Sequence, residues 1–476
     1  MYAIAGSMTK KGLPMSEGWR RKKMRNREKV IKKEQEANRM DTAKNKIIIY
    51  RGSHQIGGCA TEISTGKHRI VIDFGANLPD NDNEDIMTDE ELASAVFDGR
   101  PCDAVLFTHY HGDHIGLYKY IPKDIPLYMG STARKILEIL TEKLDSLPDV
   151  SEKGLPRIQN MNCYTPPDKI MFGDIGIQPL FVDHSALDAY MFLIEIGGKK
   201  LLFTGDFREH GIAGGNDRLE RMVRKYIGEV DILITEGTML SRMEEAKENS
   251  IRTEYDLKKR AGELFRTNKE SVILVSSTNL DSIMQFYHAL PWGTDFVCDA
   301  YQAKLMVAAM EDKGGVTRGR YPEYLPEMIH GKPRRIYIVG NMEGLGYGQN
   351  CHEADFDILH KKGFTMLVRE NKPIFKEKME QYMTDPLVIY SKWAGYLKGK
   401  HANPKINEFI GNHRMEILHT SGHAYVDTIE KLIRLTNPKT IIPMHTECAD
   451  DFGAIPAFAP YRDRVKVVKD GEEYIF

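Results

Sequence analysis

Ala104-Val105-Leu106-Phe107-Thr108-His109-Tyr110-His111-Gly112-Asp113-His114 is the stretch that decides how this chain is read. The apolar run Ala104–Phe107 has the length and composition of a buried strand. The six residues His109–His114 then form an HxHxDH cluster. A strand that ends in a tight, glycine-containing loop aims several side chains at one point. Three imidazoles and a carboxylate there are costly to bring together unless they share a cation, and this donor set suits Zn²⁺ and similar divalent ions. With 16 histidines in 476 residues, a chance cluster of surface histidines explains the pattern poorly.

Two metal ions need more donors than this motif holds. His184 follows the apolar run Leu180-Phe181-Val182-Asp183. Asp206 sits in Phe203-Thr204-Gly205-Asp206-Phe207, and His445 in Ile441-Ile442-Pro443-Met444-His445. Each alone reads as a turn residue or a cap. Taken together, in this order after the motif, they complete a larger set.

The surrounding sequence places these residues at strand ends. Strands are expected at Ile47–Tyr50, Arg69–Phe74 and Asp231–Thr235. A hairpin over Met191–Phe203 turns at Gly197-Gly198. Ser131 is expected to cap a helix through about Leu144, with Ile136, Leu137 and Leu140 on one face. After residue 240 the strands Val272–Val275, Ile336–Val339 and Leu387–Tyr390 alternate with helical stretches, an α/β pattern with parallel strands. Near residue 410 the first rhythm resumes, with strands Met415–Leu418 and Thr440–Ile442 around a helix at Val426–Leu435. The expected division is a basic N-terminal extension over 1–45, one domain made of 46–240 and 410–476, and a second inserted at 241–409.

Composition limits the alternatives. The chain is 41% hydrophobic and 28% charged. No apolar run approaches the ~20 residues of a membrane helix, and the N-terminus lacks a secretory signal's apolar core. The six cysteines are scattered without a CxxC pair, as for reduced thiols in a cytoplasmic protein. Residues 1–46 hold 14 Lys and Arg against 5 Asp and Glu, leaving 52 against 63 for the rest. A basic arm on an acidic body suggests a polyanionic partner for the arm, RNA or a ribosome; a solvated tail is the simpler alternative.

The order HxHxDH, His, Asp in a TGD-type turn, late His resembles the metallo-β-lactamase superfamily over residues 46–240 and 410–476. That resemblance implies an α/β fold, the αββα sandwich. It also implies two divalent ions, Zn²⁺ with Mn²⁺ as the alternative. His109, His111 and His184 would hold one ion, Asp113, His114 and His445 the second, and Asp206 would bridge them.

His419-Thr420-Ser421-Gly422-His423, Pro443-Met444-His445-Thr446-Glu447 and Thr235-Glu236-Gly237-Thr238 further resemble motifs of the β-CASP nucleases, whose inserted α/β domain would occupy 241–409. The ribonuclease J-like group is similar in this set, and the chain resembles a short form of it without the C-terminal domain. This implies a metal-dependent exo- or endoribonuclease acting on single-stranded RNA, with a homo-oligomer left open. By the same resemblance His423 would be catalytic near the leaving group and Glu236 would orient it. Asp113 would orient the attacking water as well as bind metal.

Ser276-Ser277-Thr278-Asn279 joins a strand to a helix expected from Leu280. Hydroxyls and N–H groups at a helix N-terminus suit a phosphate, and the loop resembles the phosphate-binding loop of ribonuclease J-like enzymes. A plain N-cap is the alternative. The Ser421-Gly422 backbone is a second candidate for a terminal phosphate. One segment departs from the family: Tyr390-Ser391-Lys392-Trp393-Ala394-Gly395-Tyr396 stands where a Gly-rich loop is expected. Its aromatics read first as interdomain core, with base stacking as the alternative. A small-molecule ester or thioester hydrolase and a DNA nuclease of the same fold are the competing functions.

Overall fold

The computed structural model describes residues 45–78, 87–311, 324–326, 328–329, 332–346 and 350–476. The basic extension expected over 1–45 lies outside them apart from Asn45. Two sheets form the first unit. One is 7-stranded, in the order Glu473–Ile475, Lys46–Arg51, Ala60–Ser64, Arg69–Ile72, Ala104–Leu106, Leu127–Met129, Asn162–Cys163. The other is 6-stranded: Thr440–Met444, Ile232–Glu236, Lys199–Phe203, Ala189–Ile196, Ile175–Val182, Ile170–Phe172.

Strand periodicity explains how they stack. Successive side chains point to opposite faces, so Ile47 and Ile49 enter the core between the sheets with Phe192, Ile194, Phe203 and Ile234. Ile48 and Tyr50 face the other way, into a core shared with Ala133, Ile136 and Leu137 of the helix Ser131–Asp145. On the far side, Ile429, Leu432 and Ile433 of the helix Val426–Thr436 cover Leu202, Leu233 and Ile441. The result is the expected helix–sheet–sheet–helix sandwich.

The third sheet is 7-stranded and wholly parallel: Cys351–Glu353, Ile336–Val339, Asp295–Asp299, Phe364–Val368, Ser271–Val275, Leu387–Ser391, Met415–Ile417. Parallel sheets need both faces covered, and Ile273 and Val275 pack in one core while Val272 and Leu274 pack in another. The strand Met415–Ile417 corrects the sequence reading, which gave it to the sandwich. It pairs with Leu387–Ser391 at the edge of the third sheet, so the chain returns to the sandwich only after Ile417. Three half-exposed residues carry no signal of which sheet they will join.

Ser131 is likewise not the N-cap of its helix. Gly130 holds that position, and Asp188, distant in sequence, accepts from the N–H groups of Thr132 and Ala133 at 2.9 and 3.1 Å. Among the described residues no helix is long and apolar enough to cross a membrane.

One buried cation ties the two units together. Arg208, in the loop after Asp206, is fully buried. It reaches Asp183 at 3.4 Å, Glu254 at 3.3 Å and Asp281 at 2.6 Å, and donates to the Ser421 carbonyl at 2.8 Å. Asp183 and Arg208 belong to the sandwich; Glu254 and Asp281 begin the helices Glu254–Thr267 and Leu280–Ala289 beside the third sheet. Burial, with repulsion from Asp183 and Glu254, raises the Asp281 carboxyl to about 8 against the pull of Arg208. Removing one partner of a buried ion pair strands the others. Arg208→Met should therefore lower stability by roughly 3–5 kcal/mol, measured as a shift in the urea unfolding midpoint. A change under about 1 kcal/mol, the range of an exposed ion pair, would contradict this account of the joint.

Candidate metal centre and cleft

The loops that leave the sheet ends converge at one point. The strand Ala104–Leu106 delivers His109, His111, Asp113 and His114; Ile175–Val182 delivers His184; Lys199–Phe203 delivers Asp206; Thr440–Met444 delivers His445. Two local features let them meet. Gly75 runs against the motif loop so closely that a β-carbon there would sit 1.7 Å from the Asp113 carbonyl oxygen. Gly205 turns at φ +53, with a β-carbon position only 2.7 Å from Thr108, so the TGD turn admits nothing larger.

Asp206 is at the centre. Its Oδ2 lies 3.8 Å from His109 Nε2, 3.2 Å from His114 Nε2 and 3.9 Å from His184 Nε2, and its Oδ1 lies 3.6 Å from His445 Nδ1. His184 Nε2 is 3.3 Å from His111 Nδ1. His445 Nε2 is 3.3 Å from Asp113 Oδ2, which is 3.9 Å from His114 Nε2. The structure thus brings all seven expected ligand residues to one site, with Asp206 between the two groups.

The second ring nitrogens fix the tautomers. Thr108 donates its hydroxyl to Asp73 at 2.8 Å, so toward His109 Nδ1 at 3.0 Å it accepts. His114 Nδ1 donates to Asp73 at 2.8 Å, and His184 Nδ1 to the Gly422 carbonyl at 2.6 Å. Thr238 donates to the His445 carbonyl at 3.3 Å and accepts from His445 Nδ1 at 2.7 Å. Four imidazoles therefore turn Nε2 to the centre. Outer partners of this kind orient metal-binding histidines.

The donor set fits a divalent cation. His109 Nε2, His114 Nε2 and Asp206 Oδ1 are buried without a hydrogen-bond partner, and each such group costs about 1–3 kcal/mol if nothing binds it. Burial and the neighbouring imidazoles hold His109 well below the usual histidine range, and burial takes His111 down to about 4. Both are neutral, as ligands must be. Burial alone would raise Asp206, but His445, His114 and His423 hold its carboxyl well below the usual range. Cys59 Sγ is also within ligand reach of His114 and His445.

His423 stands beside this cluster. Its Nδ1 is 3.2 Å from Glu236 Oε2 and 3.5 Å from Asp206 Oδ2. Burial would lower its pKa, but the Glu236 and Asp206 carboxylates outweigh burial and raise it. Glu236, 1% exposed, also accepts from the N–H groups of Phe207 and Ala424 at 3.0 and 3.3 Å.

A cavity of about 500 Å³ opens from His111 and His423 and is also lined by Ser276, Ser277, Thr278, Asn279 and Ser421. Asn279 does cap the helix Leu280–Ala289, accepting from Ser282 N–H at 3.2 Å. The capping and phosphate readings of the loop are therefore compatible. Trp393 and Tyr396, expected in the core, line this cavity instead. The loop is polar and short, so its aromatics stay at the rim while Tyr390 alone is fully buried.

Residues 60–235 match the metallo-β-lactamase superfamily model. Residues 412–453 match the Zn-dependent metallo-hydrolase RNA specificity domain. The chain thus carries a metallo-β-lactamase domain. It is 25% identical over 427 residues to ribonuclease J of Helicobacter pylori strain B128, covering 84% of this chain and 56% of that protein. It is 20% identical over 453 residues to Integrator complex subunit 11 of Danio rerio, covering 84% of this chain and 69% of that one. A crystal structure of a protein of unknown function from Enterococcus faecalis V583 shares the fold, with a TM-score of 0.69 and 21% identity over 91% of this chain and 100% of that one. The chain spans a little over half the length of the ribonuclease J it matches.

Sequence reasoning did not single out Asp73, Thr108 or Thr238. Their signal was faint: an Asp directly after a strand, and threonines next to stronger motifs. Asp73, at φ 58, supports two of the seven donors. Asp73→Ala should weaken divalent-metal affinity by about 10–100-fold, read by competition with a chromogenic chelator; unchanged affinity would remove Asp73 from the site.

Proposed function

We propose that this chain is a two-metal ribonuclease of the β-CASP type, hydrolysing phosphodiester bonds in single-stranded RNA. The observation that carries the reading is the Glu236–His423 pair, with His423 3.5 Å from Asp206 and lining the same cavity as the Ser276–Asn279 loop. A small ester needs no second anchoring wall of hydroxyls; a phosphorylated strand uses both. The matched RNA specificity model spans Ser421, His423 and His445, and the name of the H. pylori relative points the same way.

In this reading the hydrolase domain is 46–240 with the chain after Ile417, and the inserted β-CASP domain runs from 241 through the edge strand Met415–Ile417. His109, His111 and His184 would hold one ion, and Asp113, His114 and His445 the other, with Asp206 within reach of both groups. Zn²⁺ is the leading candidate. Two bound divalent ions supply a water that ionises near neutral pH and positive charge for the phosphoryl oxygens. The chain's own groups do the rest. Asp113 accepts a hydrogen bond from the attacking water and so orients it. Glu236 takes His423 Nδ1–H and fixes the ring, leaving Nε2–H to protonate the leaving oxygen or to hold a phosphate oxygen. Ser276, Ser277 and Thr278 offer hydroxyl donors, and the Ser421-Gly422 backbone and the start of the helix Leu280–Ala289 offer N–H groups, to a terminal phosphate.

Purified protein with measured metal content, supplied with Zn²⁺ or Mn²⁺, should cleave single-stranded RNA bearing a 5′-monophosphate, offered beside the matching DNA and a thioester. His109→Ala should abolish cleavage. His423→Ala should keep both metals and lose at least about 100-fold in turnover, the scale of a general acid. Activity on the thioester alone would leave the fold standing and end the ribonuclease reading. Loss of metal from His423→Ala would overturn the role given to that residue.

A further inference from the structure

Trp393 divides the cleft. The cavity of about 500 Å³ on the Ser276–Asn279 side and a second of about 1030 Å³ share His111, His423, Arg242, Glu245, Trp393 and Tyr396 in their walls. A strand with its end in the first cavity and its body in the second would pass these six residues. Trp393 is half-buried, and Tyr396 is 37% exposed.

The rings are held in place. The Arg242 guanidinium lies over the Trp393 ring, 4.1 Å from its centroid. Tyr396 meets Trp393 edge-on, with centroids 5.4 Å apart and planes at 81°. Trp393 donates its indole N–H to Glu245 at 3.2 Å, and its carbonyl accepts from the Tyr390 hydroxyl at 2.9 Å. The Tyr390 ring is itself fully buried, so the loop is anchored from below. Burial lowers the Arg242 pKa only against the pull of Glu245, and the guanidinium remains a cation.

We propose that Arg242, Trp393 and Tyr396 form a stacking platform for one nucleobase of the strand, the base beside the phosphodiester presented to His423. This rests on the ribonuclease reading and adds a positioning element to it. Aromatic and guanidinium planes stack every base with little preference for sequence. The platform would therefore fix the register of the strand without selecting its sequence. It stands where the family pattern led one to expect a Gly-rich loop, which offers backbone and no π-face.

The test is binding, separated from turnover by using the full-length His423→Ala protein loaded with Zn²⁺. Its probe is a short single-stranded RNA with a 5′-monophosphate and a 3′-fluorophore, read by anisotropy. A matching panel lacks one base at each successive position. Adding Trp393→Ala should weaken the intact RNA about tenfold, the loss expected for one base–aromatic stack. One member of the panel should already bind about tenfold more weakly to the protein with Trp393 intact, on the same stacking scale, and lose nothing more in Trp393→Ala. Trp393→Phe should keep most of the affinity. Equal losses for every RNA, or none for the intact one, would overturn the platform and leave the ribonuclease reading untouched. Failure of the parent protein to bind any RNA would overturn both.

Discussion

The structure depends on one electrostatic constraint: Asp206 is buried among imidazoles that repel one another. Its two oxygens approach five of them within 3.2–3.9 Å. Without a positive charge, several Nε2 lone pairs face one another and this carboxylate in a low-dielectric interior; without the carboxylate, bound cations would lack their common anion. Each component is unfavourable alone and reasonable only in company. This explains why so much of the surrounding structure is rigid. The turn at Gly205, the close passage at Gly75 and the left-handed backbone of Asp73 and His445 are local costs carried by a packed two-sheet scaffold.

The scaffold makes those costs bearable because the ligands are spread over both sheets. His109–His114 hang from one, while His184, Asp206 and His445 hang from the other. The apolar contact between the sheets, with Ile47, Ile49, Ile72 and Leu106 against Phe192, Phe203 and Ile234, therefore sets the distance between the two halves of the site. The third sheet enters by a different route. Arg208 begins two residues after Asp206 and ends on Glu254, Asp281 and the Ser421 carbonyl. One guanidinium thus registers the Ser276–Asn279 loop and the His423 loop against the metal ligands.

What could be read from the sequence was what is local in it. Ile47–Tyr50, the hairpin turned at Gly197-Gly198 and the parallel strands after residue 240 have periodicities that a short window captures. The expected ligands were visible because each follows an apolar run whose end must lie at a sheet edge. What escaped was set by partners far along the chain. Asp188 caps a helix that begins some fifty-seven residues earlier. Thr238 supports His445 across 207 residues. The strand Met415–Ile417 chooses its sheet by pairing with Leu387–Ser391, a choice its own three residues do not encode. Trp393 has the composition of a core residue, and its contacts with Arg242, Glu245 and the Tyr390 hydroxyl hold it at a cavity wall.

Under the proposed function the cleft also resolves an apparent conflict, a polyanion-binding site in an acidic body. Its basic side chains are largely matched within the protein. Arg369 is held by Asp299 at 2.8 Å, and Lys392 by Glu370 at 2.6 Å. Such a cleft exerts little long-range pull on a polyanion, so steering by the field of the body is weak. Affinity must then come from contacts made at close range: bound cations at the centre, hydroxyls and N–H groups on one wall, and stacking rings between the two cavities. Short-range contacts of this kind discriminate by shape. On the proposed reading they would admit a single strand whose bases are unstacked and whose end is free, and would offer a duplex few points of purchase. Selectivity for single strands would then need no base-reading element, because it would follow from where the charge has been neutralised and where it has not.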